Sequence, residues 1–386
     1  MSSPDVVVLG AGVMGASVAW HLARRGVRRV LVLDRGPGPG SGSTVRATGG
    51  FRAQFATAIN VTLSLLARAK LKAFADETGV DPGYAPHGYL WLAGSAQELA
   101  VLAEARRVQQ EAGLVEAIAV SSEDIRRLNP ALAPHGIIGG AFCPTDGFLL
   151  PLRILEGYLA GARRLGVEVR WDVEVTGFEL HAGRVTSVLA GAERIACGAV
   201  VNALGPWAAA VMAATGFDLP VAPLRRQVAA TAPTGALPPE TPMTIFAADG
   251  FHFRVRDGRV LLLRASPGAP GRPFDTSVEP SWLLDVTALA HARVPALRNV
   301  PIDPSACWAG LYEMSPDKHA ILGSTPGVPN LYLINGSSGH GVMHAPALGQ
   351  LLTEIFCDGR AITMDTAPLA PERFAAGRLN PVSELL

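Results

Sequence analysis

The first thirty-four residues restrict the fold more than any other part of the chain. Residues 5–9 form a short apolar run and lead into Gly10-Ala11-Gly12-Val13-Met14-Gly15; apolar residues then recur at helical spacing over 16–25, with Gly26 as a stop. A second apolar run over 30–33 ends on Asp34, nineteen residues past Gly15. Strand, glycine turn, helix, strand and acid in this order specify a Rossmann-type βαβ unit that binds a dinucleotide. Gly10 permits the tight turn, Gly12 lets a pyrophosphate approach the backbone, and Gly15 lets helix and strand pack closely. The helix start, with Val13 and Met14, offers unpaired N–H groups and a partial positive charge to the phosphates. Asp34, followed by Arg35, is placed to accept hydrogen bonds from the adenosine ribose. A carboxylate there repels a 2′-phosphate, which disfavours NADP.

The chain then departs from the plan of an NAD domain. An alternating βαβ series does not continue after Asp34; residues 35–50 are instead a loop rich in Gly, Pro, Ser and Thr. No second GxGxxG follows, so a reductase carrying both FAD and a nicotinamide nucleotide is disfavoured. Helical patterns cover 58–77, 96–112, 122–128 and 152–165, and strand patterns cover 167–171, 173–180, 184–189 and 194–203. Residues 216–313 read as β-rich and Pro-punctuated, with a hairpin over 251–263 turning on Asp257-Gly258. A strand at 331–334, a glycine-rich loop at 335–341 and a helix over 345–356 close the chain. The expected class is α/β (α+β).

At 386 residues, nearly half of them apolar and 17% charged, the chain suits two domains with a sizeable core. Its formal net charge is zero and no basic run stands out, which argues against a nucleic-acid partner and for a small molecule. Gly, Pro or Arg interrupts every apolar run before membrane-spanning length, and the N-terminus lacks a signal-peptide pattern, so a cytoplasmic protein without a membrane span is expected. Cys143, Cys197, Cys307 and Cys357 lie far apart without a CxxC pair; buried thiols are expected, with no zinc site or disulfide scaffold. Only Lys70, Lys72 and Lys318 are lysines.

Beyond the GAGVMGASVAWHLARRG opening, the segments GSTVRATGGFRAQF (42–55), CPTDGFLLP (143–151), VVNALGPW (200–207), WAGLYEMSPDKHAILG (308–323) and NGSSGHGVMHAPALGQLL (335–352) make the chain resemble a known group. This is the glycine oxidase, sarcosine oxidase and D-amino acid oxidase family of FAD-dependent amine oxidoreductases. The resemblance covers nearly the whole chain and is nearest to the monomeric sarcosine oxidases, the β subunits of hetero-oligomeric sarcosine oxidase and the FAD-binding subunit of dye-linked L-proline dehydrogenase. It implies a discontinuous FAD domain (1–80, 145–215 and 316–386) and a substrate domain (81–144 and 216–315) with a mixed β-sheet. It places Ser43 and Thr44 against the pyrophosphate and flavin, Val175 at the adenine, and Gly205 and Trp207 near the cofactor. Gly339, His340, Gly341, Val342 and Met343 fall at the pyrimidine edge of the flavin. A glycine-rich turn opening a helix there suits a reduced flavin, which carries negative charge at N1 and O2.

In this family a small amine, often a secondary amino acid, gives a hydride to flavin N5, and electrons pass to oxygen or to an acceptor protein or dye. Some members work with a partner subunit. Arg52 matches the arginine that binds the substrate carboxylate, a task suited to a bidentate guanidinium; Arg226, Arg254 and Arg264 are the alternatives, and a surface arginine is the plainer reading. Alternation along the strand puts His252 on the face opposite Phe251 and Phe253, where the family often has a tyrosine facing the flavin. Tyr312 and Glu313 are candidates for the cavity wall. Met343 stands where monomeric sarcosine oxidases have a carboxylate-binding lysine, and no lysine occurs at 260–264, where those oxidases hold one that activates oxygen. Their flavin-attaching cysteine aligns near Gly310, so FAD is expected to be noncovalent. The implied activity is oxidation of a sarcosine-, proline- or N-methyl-type substrate. A primary-amine oxidase of the glycine or D-amino acid kind, or a non-catalytic FAD-carrying assembly subunit, are the rival readings.

Overall fold

A computed structural model of the chain describes residues 3–266 and 272–382. Val6–Leu9 is fully buried and lies at the centre of a six-stranded sheet, paired in parallel with Val30–Leu33 on one side and Ala199–Asn202 on the other. Glu168–Arg170 extends the sheet beyond Val30–Leu33; Val328–Asn335 and the antiparallel Ile321–Thr325 extend it beyond Ala199–Asn202. The period of two divides the central strand between two cores. Val6 and Val8 pack with the helices, and Val7 and Leu9 pack with Val175, Phe178 and Val188 of a three-stranded antiparallel sheet. Burial on both faces explains why this strand is a continuous apolar run.

Three helices cover the first face: Val13–Arg24, Pro151–Arg164 and Gly341–Asp358. Small residues set their spacing. A Cβ on Gly349 would lie 2.2 Å from Ser17 Oγ, and one on Gly161 would lie 2.7 Å from the Trp20 ring. Ser17 donates to the Ala345 carbonyl at 2.7 Å, tying the first helix to the last.

The second large sheet has eight strands, mostly antiparallel, built from 89–93, 118–121, 139–143, 222–230, 243–246, 252–256, 259–263 and 308–314. Its central hairpin turns on Asp257 (φ 53°) and Gly258 (φ 69°), the two consecutive left-handed residues of a type I′ turn. Phe251, Phe253 and Val255 face Trp282, Val286 and Ala290 of a helix, so His252 and Arg254 emerge on the opposite face.

Four sequence expectations need correction. The stretch 216–313 is not only strand: it contains the helix Pro280–Arg293, although 267–271 lie outside the described residues. The buried stripe of that helix is a single row, Trp282, Val286 and Ala290, too narrow to produce a clear helical pattern. The expected strand at 194–203 is two strands, Glu193–Ala196 and Ala199–Asn202, which join different sheets. Gly198 marks the crossing, where a Cβ would sit 2.8 Å from the Asp5 carbonyl. The last helix begins at Gly341 rather than 345, and Pro346 lies inside it. Proline there removes the N–H that would close onto the Val342 carbonyl; burial of Met343, His344, Ala347, Leu348 and Leu351 outweighs that loss. Finally, only Cys143 is a fully buried thiol, Cys197 and Cys307 are half-buried, and Cys357 is exposed.

Candidate active site

A cavity of about 1410 Å³ runs from the Gly10 turn, along loop 35–50, to the wall formed by the eight-stranded sheet. This exceeds the roughly 300–1,000 Å³ of an ordinary small-ligand pocket and suits a dinucleotide together with a substrate. Every site residue expected from the sequence lines it except Gly15 and the alternative anchor Arg254. Gly15 has the packing role expected of it, because a Cβ there would meet the Gly10 carbonyl at 1.8 Å. Gly10 has φ +94° and no room for a side chain beside the Ala203 carbonyl.

The dinucleotide end is ordered by the loop itself. Asp34 accepts from the Ala11 N–H and the Gly36 N–H, both at 2.7 Å, so its carboxylate fixes the glycine turn as well as facing the cavity. Thr44 Oγ1 accepts from the Val13 N–H at 3.2 Å, and Ser43 Oγ donates to the Leu311 carbonyl at 2.9 Å. Loop 35–50 is thereby pinned to the first helix and to the second sheet. The Arg35 guanidinium lies 4.1 Å from the centre of the Trp207 ring, which stacks on Phe274 at 5.8 Å; Val175 lies on the same stretch of wall. Asp34→Ala is expected to weaken FAD binding by about 1–3 kcal/mol, the value of a hydrogen bond to a charged group. The check is the FAD dissociation constant of the refilled apoprotein; an unchanged constant would confine Asp34 to holding the turn.

At the far end the Gly341–Asp358 helix presents its N-terminus to the cavity without a side-chain cap. Its first-turn amides, from Gly341, Val342 and Met343, have no carbonyl four residues back within the helix. Gly339 (φ +93°) lies against Tyr312, whose ring atoms would be 2.3 Å from a Cβ. Two buried polar atoms nearby have no hydrogen-bond partner, Glu313 Oε2 and Ser337 Oγ. Orphaned buried oxygens are costly, and a polyhydroxylated chain such as the ribityl group of FAD supplies what they lack. Burial pushes the Glu313 carboxyl up to about 7, against an opposing bond from the Ser337 N–H at 3.3 Å.

Arg52 is no surface arginine: it is 6% exposed. It follows the short strand Gly50–Phe51, which pairs with Gly147–Phe148. That pairing brings up Asp146, fully buried, which accepts from the Ala53 N–H at 2.7 Å and Gln54 Nε2 at 3.2 Å. Burial raises the Asp146 carboxyl to about 6 despite those bonds. The Arg52 guanidinium sits 4.3 Å from the Phe55 ring centre and 5.5 Å from that of Trp91, with Nη1 donating to the Gln54 carbonyl at 3.4 Å. Its Nη2 lies 3.3 Å from His340 Nε2 and donates to it, since a guanidinium has no acceptor.

The imidazoles around this cation are neutral near pH 7. Burial, and then Arg52, hold His340 well below the usual histidine range, and burial takes His344 to about 3. His252 is lowered to about 4 by burial, with Arg52 and Arg226 adding to the effect. Its Nδ1 lies 2.8 Å from the Gly250 carbonyl and must carry the proton, leaving Nε2 as an acceptor. Arg226 also lines the wall, and its guanidinium lies 5.6 Å from the Tyr312 ring centre. Arg254 does not line it; its Nη1 is spent on the Thr48 and Gly49 carbonyls at 2.6 and 3.1 Å. Arg264 does, paired with Asp249 at 3.6 Å. Sequence reading missed Asp146, whose place depends on a distant strand, and saw Lys318 only as a rare lysine; it too is on the cavity wall. Among the described residues no cluster of His, Cys, Asp or Glu could hold a metal ion, and no helix is long and apolar enough to cross a membrane.

The chain is similar over nearly its whole length to known proteins. Glycine oxidase from Geobacillus kaustophilus is 28% identical over 381 residues, 96% of this chain and 97% of that protein. FAD-dependent oxidoreductase domain-containing protein 1 of Xenopus laevis is 28% identical over 96% of this chain and 82% of its own length. The crystal structure of L-proline dehydrogenase from P. horikoshii superposes with a TM-score of 0.90 at 27% identity, covering 98% of this chain and 100% of that one. The FAD-dependent oxidoreductase family model, DAO, matches residues 5–355. With a glycine cradle, an uncapped helix start and orphaned buried oxygens along one cavity, this is an FAD-binding chain of the DAO family of FAD-dependent oxidoreductases.

Proposed function

We propose that the chain oxidises the carbon–nitrogen bond of a small secondary amine or amino acid, of the sarcosine, proline or N-methyl amino acid type. The observation that carries this is the buried Arg52, held on a wall of aromatic rings and neutral imidazoles beside the Gly341 helix start. FAD, when bound, takes the hydride at N5. The protein's own part is to bind, orient and keep the nitrogen unprotonated. Arg52 anchors the carboxylate through paired N–H donors. The surrounding cations Arg52 and Arg226 disfavour an ammonium, so the amine is held as the neutral base that can release hydride. His252 Nε2 and His340, both neutral, accept hydrogen bonds without adding charge, while Trp91, Phe55 and Met343 exclude water. Gly10, Gly12, Val13, Met14, Asp34, Arg35, Ser43, Thr44, Val175, Gly205 and Trp207 hold the dinucleotide, within a two-part division of the chain into FAD and substrate domains.

Similarity to proteins named glycine oxidase and L-proline dehydrogenase supports a CH–NH donor in general. Primary and secondary substrates separate in steady-state turnover, assayed in parallel with oxygen and with a dye acceptor. The proposal expects secondary amino acids to turn over at least tenfold faster than glycine and D-alanine. Preference for the primary amines would assign the oxidase reading, and turnover with none would assign an FAD-carrying subunit.

FAD is expected to be noncovalent, because Gly310 and not Cys307 occupies the position of the attaching cysteine; Gly310 packs against Arg46. Acid precipitation should release all the yellow colour into the supernatant, and colour retained in the pellet would show a covalent bond.

A further inference from the structure

The segment that carries Arg52 is held from behind by one buried carboxyl group. Asp146 sits in the turn between the strands Gly139–Cys143 and Gly147–Phe148, fully buried and outside the cavity wall. Its own backbone is tied on both sides: the N–H donates to the Cys143 carbonyl at 3.3 Å, and the carbonyl accepts from the Gly88 N–H at 2.8 Å. Gly147 keeps the turn close to its neighbours, since a Cβ there would lie 2.0 Å from the Ala85 carbonyl. From this fixed point Oδ1 accepts from the Ala53 N–H at 2.7 Å, and Oδ2 accepts from the Gln54 N–H at 3.4 Å and from Gln54 Nε2 at 3.2 Å. Gln54 Nε2 also donates to the Tyr89 carbonyl at 3.0 Å, and the Gln54 carbonyl receives Arg52 Nη1. The two residues after Arg52 are thus clamped through their amides, and the clamp returns to the guanidinium.

Three N–H groups converging on one side chain require a group that only accepts. An ionised aspartate meets that need with two oxygens, whereas an asparagine would turn an NH2 group toward donors. All three donors are uncharged amides, and a buried carboxylate held in this way is costly. What the arrangement secures is the position of residues 52–54 beside the aromatic wall of the site.

We propose that Asp146 is a positioning residue for substrate binding: its ionised carboxylate fixes Ala53 and Gln54 so that Arg52 presents its guanidinium to the substrate carboxylate. This rests on the reading of Arg52 as the anchor and adds a group that acts through Arg52 without touching substrate. The sign of the effect separates positioning from simple electrostatics. Removing a negative charge near Arg52 would by itself favour an anion; loosening residues 52–54 disfavours it. Burial raises the Asp146 carboxyl to about 6, so anion affinity should fall as the pH drops through that value. Around it Tyr84, Tyr89 and Cys143 are pushed up by burial and stay neutral, and Arg68 donates to Thr145 and pairs with Glu116 at 3.1 Å. Protonation of the imidazoles His87, His252, His340 and His344, or of Glu313, makes the surroundings more positive and would strengthen anion binding, the opposite sign.

The probe is methoxyacetate, which keeps the carboxylate and replaces the oxidisable amine with an ether. Its binding to the FAD-loaded, oxidised enzyme is read from the change in the flavin visible spectrum. Arg52→Ala should weaken it at least tenfold. Asp146→Asn should weaken it at least fivefold at pH 8, change the FAD dissociation constant less than twofold, and add less than twofold in the Arg52→Ala background. Wild-type affinity should fall between pH 7 and pH 5, and that fall should be absent in Asp146→Asn. An Asp146→Asn enzyme that binds methoxyacetate like the wild type would overturn the proposal and leave the anchor intact. So would a weakening that persists in full without Arg52, or one matched by an equal loss of FAD affinity. Unchanged binding in Arg52→Ala would overturn the anchor reading and this proposal with it. The wild-type profile decides even if the variant fails to fold: affinity that stays flat or rises toward pH 5 would overturn the proposal. Methoxyacetate has no nitrogen to oxidise, so the result is separate from whether amines reduce the flavin.

Discussion

Replacing Arg52 by alanine should cost about 2–5 kcal/mol in kcat/KM for an amino acid substrate, the expense of leaving a buried carboxylate without its cation. The site makes this loss hard to compensate. Met343 stands in the helix start where a lysine would share the charge, Arg254 is engaged by the Thr48 and Gly49 carbonyls, and Arg264 is engaged by Asp249. Arg52→Lys should recover only part, because an ammonium cannot make two parallel hydrogen bonds and cannot spread over the Phe55 and Trp91 rings in the same way. The informative comparison is kcat/KM for the amino acid against its decarboxylated amine. The wild type should prefer the amino acid strongly and Arg52→Ala should lose that preference. Equal discrimination by both enzymes would pass the anchoring role to Arg226, which lines the same cavity beside Tyr312.

The second large effect is on stability. Asp317 and Arg373 form a fully enclosed pair, 0% and 2% exposed, with Arg373 donating to both carboxylate oxygens at 2.8 and 2.9 Å. Arg373 also donates to the Leu369 carbonyl at 2.7 Å and the His319 carbonyl at 3.1 Å, and Asn380 adds a bond to Asp317 at 2.9 Å. The pair therefore staples the C-terminal segment to the turn that carries Lys318. Arg373→Ala or Asp317→Ala leaves one buried charge alone, and a loss of about 3–5 kcal/mol is expected, read from urea unfolding. A loss near the surface-pair level of about 0–1 kcal/mol would show that the segment contributes little. The pH dependence has a definite sign. Burial alone would raise the Asp317 carboxyl, but Arg373 and Asn380 hold it well below the usual carboxylate range. Its stabilisation is thus complete above the ordinary carboxylate pKa of about 4 and is lost as the pH falls from there toward the depressed folded value.

What could be read in the sequence was what local sterics dictate. Gly15 is required by a contact within the turn itself, with the Gly10 carbonyl 1.8 Å from a Cβ, and Gly10 by its own left-handed φ of +94°, so their pattern is visible in a short window. His252 was placed by strand alternation, which depends only on its neighbours Phe251 and Phe253. Arg52 was reachable through family resemblance, since nothing in its flanking residues announces burial. Asp146 was not reachable: it approaches Ala53 only because Gly50–Phe51 pairs with Gly147–Phe148, ninety-odd residues away. Arg226 and Tyr312 belong to different strands of the second sheet, and they meet only after the Ala222–Ala230 strand pairs with Trp308–Met314. The helix start at Gly341 was misplaced by four residues because Pro346 reads as an opening residue, whereas tertiary burial carries the helix through it.

The most direct measurement is the anaerobic half-reaction of the FAD-loaded chain, followed at the flavin absorbance, with a secondary amino acid and with the same compound deuterated at the carbon next to nitrogen. The account predicts that the flavin bleaches without oxygen and that deuterium slows the bleaching severalfold, since the bond to that hydrogen breaks as hydride leaves. A flavin that stays yellow with every secondary and primary amine, or bleaches at the same rate with the deuterated substrate in a single turnover limited by chemistry, would contradict it.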